Sequence, residues 1–137
     1  MTILVTGATG FLGSALVTEL VRQKQQIRIL ARDEQKARAQ FGEAVSIVAG
    51  EITDPQQVQQ AVDGATEIYH LVGRLYHPST PTELYRATHV EGTRVLLAAC
   101  QGQSQLRRIV HCSTTGIYGV TGKTAAAEDA PFAPTNP

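Results

Sequence analysis

With 42% apolar and 18% charged side chains, 137 residues suffice for one buried core and are too few for two. Twelve Lys and Arg balance twelve Asp and Glu, so no net field favours nucleic acid or an anionic membrane surface. No apolar run reaches the roughly 18 residues of a membrane span, and Met1-Thr2-Ile3-Leu4-Val5-Thr6-Gly7 lacks the charged start and longer apolar stretch of a signal peptide. A cytoplasmic protein without nucleic-acid or membrane partners is therefore expected.

Along the chain, β-branched apolar stretches alternate with helical patterns. Strands are predicted at Ile3 to Thr6, Ile27 to Ala31, Val45 to Ala49, Glu67 to Leu71 and Arg108 to Cys112. A first helix comes after the first strand, with Leu12, Ala15, Leu16 and Leu20 on one face. Asp33 to Gln40 supplies a second helix. Asp54 as N-cap and Pro55 at the first helical position open a third, which carries Val58, Ala61 and Val62. A fourth spans about Pro81 to Gln101 with Leu84, Ala87, Val90 and Leu97 on its face. Gly92 inside it costs about 1 kcal/mol relative to alanine, which implies close packing against the sheet. From Val120 to Pro137, glycines and prolines predict an exposed loop. The alternation predicts an α/β fold, a doubly wound parallel sheet in the order 3-2-1-4-5, with any ligand beyond the carboxyl ends of strands 1 and 4. Residues 1–137 form a single domain in this reading.

Thr6-Gly7-Ala8-Thr9-Gly10-Phe11-Leu12-Gly13 falls where strand 1 becomes helix 1. Gly7 suits a tight turn, Gly10 leaves the helix N-terminus open to a pyrophosphate, and Gly13 lets helix and strand approach. The spacing alone would arise by chance about 0.1 times in a chain this rich in glycine, so its specificity lies in the strand before and the helix after. Cys100 and Cys112 read as small apolar core residues. His70, His77, His89 and His111 show no paired spacing, and no metal site is expected.

The glycine segment resembles the cofactor loop of the extended short-chain dehydrogenase/reductase family, the epimerase/dehydratase and dihydroflavonol-reductase-like group. Gly50-Glu51-Ile52-Thr53-Asp54, His70-Leu71-Val72-Gly73, His89-Val90-Glu91-Gly92-Thr93 and Ser113-Thr114-Thr115-Gly116-Ile117-Tyr118-Gly119 are similar to further family segments, in order over essentially the whole chain. The sequence departs from that pattern at Glu51, where the family has aspartate, at Val72, where it has alanine, and at His89, where it has asparagine. The resemblance implies an NAD(P)-binding Rossmann domain that contacts its cofactor through Gly7, Thr9, Gly10, Phe11, Leu12, Gly13, Glu51, Ile52, Leu71, Val72 and Gly73. An NAD site places a carboxylate at the end of strand 2; here Ala31 stands there and Arg32 comes next, whose guanidinium suits a 2′-phosphate. NADP is the expected cofactor, with NAD the alternative.

The resemblance also implies that Thr114 binds a substrate oxygen and that a Tyr-x-x-x-Lys pair transfers the proton. Four residues after Tyr69, Tyr76, Tyr85 and Tyr118 stand Gly73, Thr80, His89 and Gly122, so the pair is expected beyond Pro137 and the chain alone is expected to be inactive. Three functions compete: an NADP-dependent reductase or dehydrogenase of a small carbonyl or hydroxyl compound, a nucleotide-sugar epimerase or dehydratase, and a non-catalytic dinucleotide sensor or assembly protein. Family dimers pack through the long helices, which makes a homodimer a further expectation.

Overall fold

A computed structural model of the chain describes residues 1–123 and 125–135. Five parallel strands, β1 (Thr2–Thr6), β2 (Gln26–Ala31), β3 (Ser46–Ala49), β4 (Ala65–His70) and β5 (Arg108–His111), form one sheet in the order β3-β2-β1-β4-β5. This is the predicted doubly wound order. It reverses between β1 and β4, and Thr6 pairs with Leu30 on one side and His70 on the other, so these three strand exits lie level.

Alternation along each strand divides the core into two layers. Ile3, Val5, Ile27, Ile29 and Ala31 face α1 (Phe11–Arg22) and α2 (Glu34–Phe41). Leu4, Leu30 and Ile68 face α3 (Pro55–Val62) and α5 (Gly92–Cys100). Asp33 and Asp54 cap α2 and α3, accepting from Lys36 N at 2.8 Å and from Gln56 N and Gln57 N at 2.9 and 3.0 Å. Pro55 sits in the first turn of α3, where its missing N–H leaves nothing unpaired.

Several helix details differ from the prediction. On α1 the buried residues are Gly13, Val17 and Leu20; Leu12 and Ala15 point outward and Leu16 is half-buried. The long helix runs as α4 (Thr82–Tyr85), a π-helical stretch Arg86–Glu91 and α5, with right-handed helical backbone through both junctions. Its inward residues are Tyr85, Gly92, Leu96 and Ala99, whereas Leu84, Val90 and Leu97 are exposed and Ala87 is half-buried. Gly92 is packed closely, but against Ile52 of the β3–α3 loop: a Cβ there would lie 2.8 Å from Ile52 Cγ2.

Cys100 is half-buried and Cys112 exposed, so the core expectation fails for Cys112; both thiols are free. Short 3₁₀ turns at Gly42–Ala44 and Thr115–Tyr118 were not predicted. The segment from Val120 onward is irregular, as expected where it is described; the reading at Thr124, Asn136 and Pro137 lies outside the described residues. Among the described residues no helix is long and apolar enough to cross a membrane.

Candidate functional site

The turn between β1 and α1 gives each glycine a separate task. Gly7 has φ +74°, and a Cβ on it would lie 2.6 Å from the carbonyl of Leu71 and 2.8 Å from Val72 N, so the turn is wedged against the exit of β4. A Cβ on Gly13 would collide with Gly7 O and lie 2.8 Å from Ala8 Cα, which holds α1 directly beneath the turn. Gly10 differs. It is exposed, its backbone is extended (φ −82°, ψ 177°), and a Cβ on it would meet only Gly7 O, at 3.2 Å.

Gly10 is also the N-cap of the 12-residue α1, with no capping side chain and no acidic residue in the first turn. The positive end of the helix and its unpaired N–H groups therefore face outward uncompensated. Phe11, 97% exposed, and Leu12, 52% exposed, flank this opening, with Thr9 half-buried beside it.

At the exit of β2, Ala31 is buried and Arg32 is exposed, with no ion pair or side-chain hydrogen bond among the described residues. Asp33, the nearest carboxylate in sequence, is engaged in capping α2. Gly50 N donates to Ala31 O at 2.9 Å, tying the β3 exit to the β2 exit. Glu51 is exposed, and its N–H donates to Gln57 Oε1 at 2.8 Å. Ile52 turns its side chain into the core.

At the exit of β4, Leu71 N donates to Thr6 O at 3.1 Å; Leu71 and Val72 are half-buried and Gly73 is exposed. His89, from the π-helical stretch, accepts from Arg74 N at 3.1 Å through Nε2, and its Cε1 would lie 3.3 Å from a Cβ on Gly73. The imidazole thus supports the backbone of this loop, at the place where the resembling family has asparagine. Thr114 stands one strand further out, exposed, and caps the 3₁₀ turn by accepting from Gly116 N at 3.1 Å. Its hydroxyl proton is left to donate elsewhere.

The sequence gives His70 the look of an ordinary histidine, and the structure does not. It is 2% exposed, with Nδ1 2.7 Å from Thr6 Oγ1 and Nε2 3.2 Å from Thr93 Oγ1, and it stacks on His111 at 5.3 Å between ring centroids. Burial, then the neighbouring His111 and His89, push its pKa down from 6.5 to about 4. The available signal is alternation: Thr6 stands two residues after Leu4 and His70 two residues after Ile68, so both point into the core.

Protonation of His70 carries a consequence for stability. The unfolded chain takes up this proton near pH 6.5 and the folded chain only near pH 4, so stability present above pH 6.5 is lost as pH falls through that window. The slope is at most about 1.4 kcal/mol per pH unit. Denaturant melts at several pH values in this window should show a shallower slope in His70→Gln, and an unchanged slope would refute the assignment.

The family model described as the NAD dependent epimerase/dehydratase family matches residues 3–137. The chain is 31% identical over 137 residues to sterol demethylase protein B of Methylococcus capsulatus, covering 100% of this chain and 42% of that protein. It is 30% identical over 125 residues to a putative dihydroflavonol 4-reductase of Synechocystis, covering 91% of this chain and 36% of that one. A short-chain dehydrogenase/reductase superfamily protein from Agrobacterium tumefaciens, solved with bound NAD, superposes with a TM-score of 0.84 at 28% identity, over 99% of this chain and 40% of that structure. The chain therefore spans less than half the length of each of these relatives.

Proposed function

The chain belongs to the NAD dependent epimerase/dehydratase family, and from that premise we propose that residues 1–137 are the NADP-binding part of an oxidoreductase acting on a small carbonyl or hydroxyl compound. Gly10 carries this reading. Gly7 and Gly13 are required by contacts within the protein, whereas at Gly10 the only close neighbour of a Cβ is one carbonyl at 3.2 Å. A residue left bare where a single carbonyl is the only internal contact, over an uncapped helix N-terminus, fits a site kept clear for a pyrophosphate.

In this reading the N–H groups of Phe11, Leu12 and Gly13 hold the pyrophosphate, with Thr9 alongside. Glu51 and the backbone of Ile52 border the base, and Leu71, Val72 and Gly73 line the ribose side. Thr114 orients a substrate oxygen with its free proton. The bound nicotinamide would supply the hydride chemistry. The chain's own residues bind, orient and hold, and no Tyr-x-x-x-Lys pair occurs within residues 1–137.

Arg32 favours NADP because an exposed guanidinium without a competing carboxylate matches a 2′-phosphate, and Ala31 offers the 2′-hydroxyl of NAD no acceptor. A charge-assisted contact of this kind contributes about 1.5–3 kcal/mol, so NADP should bind at least about tenfold more tightly than NAD. Calorimetric titration of both cofactors, before and after Arg32→Ala, measures this. Equal affinities in the unsubstituted chain would refute the assignment and favour the second reading, an NAD-using nucleotide-sugar epimerase or dehydratase; NAD is the cofactor bound in the Agrobacterium structure.

We also propose self-association through the outer face of α4 and α5, where Leu84, Val90 and Leu97 are 44%, 41% and 49% exposed beside an open groove of about 470 Å³. Sedimentation should show a dimer that Leu97→Glu weakens. A monomer at all concentrations would refute it.

A further inference from the structure

We propose that His70 is a positioning residue of the dinucleotide site, its ring setting the spacing between the glycine turn and the β4 exit and, through Thr93 and His89, the course of the backbone at Gly73 and Arg74. This rests on the dinucleotide reading of the β1–α1 turn.

Thr6, His70 and His111 form one row across β1, β4 and β5, on the face that packs against the long helix. Thr93 Oγ1 donates its proton to His89 O at 2.6 Å, so toward His70 it acts as the acceptor. His70 therefore carries its proton on Nε2, and Nδ1 accepts from the Thr6 hydroxyl at 2.7 Å. The hydrogen bonds run in one direction from Thr6 through His70 and Thr93 to the His89 carbonyl. The His89 ring then takes Arg74 N.

Both ends of this chain of bonds meet the site. Thr6 directly precedes Gly7, where the clearance from the Leu71 carbonyl is too small for one methyl group. His89 touches the loop at Gly73 and Arg74. Packing alone would favour leucine at position 70, because a buried imidazole gives up hydration that leucine never had. The polar ring is explained by the geometry its two bonds impose, since a fully satisfied network selects one arrangement where an apolar contact tolerates several. The charged or titratable groups near the ring are His111 on β5 and His89 on the long helix.

The test uses the whole 137-residue chain. His70→Leu removes both bonds at similar volume, His70→Asn retains a polar group near Thr6, and His70→Gln retains one near Thr93. NADP affinity is measured by calorimetry, the Gly7 and Gly73 amides by NMR, and the imidazole tautomer by its ¹⁵N shifts. An Nε2–H tautomer is expected, with NADP binding weakened about tenfold in His70→Leu, because a turn and β4 exit no longer held at one spacing must be ordered when the ligand binds. Asn should restore the Gly7 resonance and Gln the Gly73 resonance, each recovering part of the affinity. An Nδ1–H tautomer overturns the proposal, as does a folded leucine variant whose two resonances and affinity match the unsubstituted chain. A loss in leucine that neither amide variant recovers reveals a purely structural role and also overturns it. Should the leucine variant not fold, the Asn and Gln variants decide by whether their effects separate between Gly7 and Gly73. If the unsubstituted chain binds neither NADP nor NAD, the dinucleotide reading fails, and the tautomer and the two amide resonances still judge the role of His70.

Discussion

Gly10→Val is expected to lower dinucleotide affinity at least about 100-fold while shifting the melting temperature by only a few degrees. The two expectations rest on the same geometry. The backbone at Gly10 is extended, a conformation that β-branched residues adopt readily, and a Cβ there needs only the Gly7 carbonyl to yield by a few tenths of an ångström from 3.2 Å. The fold should therefore accept the side chain.

The remaining valine carbons project over the exposed N-terminus of α1, which is where a pyrophosphate would have to approach to reach the N–H groups. Hydrogen bonds to a charged group contribute about 1.5–3 kcal/mol each, so losing two accounts for the expected drop. Gly10→Ala should fall between. Calorimetric titration beside thermal melts checks both halves: a valine variant that binds as tightly as the unsubstituted chain places the ligand elsewhere, and one that unfolds shows that Gly10 is structural.

The strand order is readable because its determinants are local. Each β-branched run is bounded by a helix signal, and Asp33, Asp54 and Pro55 mark helix starts with residues whose capping role depends only on neighbours three positions away. The glycine turn is readable for the same reason. Helix faces are harder, because both long helices carry apolar residues on more than one side. On α1, Leu12 has the spacing of a core residue although it lies at the open end of the turn, and the fully buried Val17 falls outside the face drawn through Leu12, Ala15, Leu16 and Leu20.

On the long helix, a uniform period of 3.6 fails at the π-helical stretch Arg86–Glu91, whose wider turns rotate the residues of α5 relative to those of α4. A face drawn through Leu84, Val90 and Leu97 then runs along the solvent side. Alternation marks Thr6 and His70 as inward-facing, but the partners of His70 are beyond local reading. Its bonds join residues 64 and 23 positions apart on three elements, brought together by the sheet register at Thr6 and by the packing of α5 at Thr93. Gln57, which holds the Glu51 amide from the first turns of α3, gives no distinct signal, because any exposed-looking glutamine in a Gln-rich helix reads the same way.

Gly13→Ala is expected to destabilise the fold, which Gly10→Val should leave intact. Helix propensity alone predicts a gain of about 1 kcal/mol, since alanine is the better helix former. Against it stands a Cβ that collides with Gly7 O and lies 2.8 Å from both Ala8 Cα and Gly7 C, all of them backbone atoms that cannot rotate aside. The helix must lift away from the turn, and the fully buried Val17 and nearly buried Leu20 lift with it. Overpacking of this kind typically costs about 1–3 kcal/mol and occasionally more, so it outweighs the propensity gain. A net loss of about 1 kcal/mol, the middle of that range less the propensity gain, corresponds to a melting temperature lower by roughly 4 °C in a chain of this size. Gly10→Ala is the matched control, because the added methyl is the same and meets one carbonyl at 3.2 Å where the Gly13 methyl collides with three backbone atoms. If Gly13→Ala melts at or above the unsubstituted chain, the close approach of α1 to the turn is not what requires glycine at position 13.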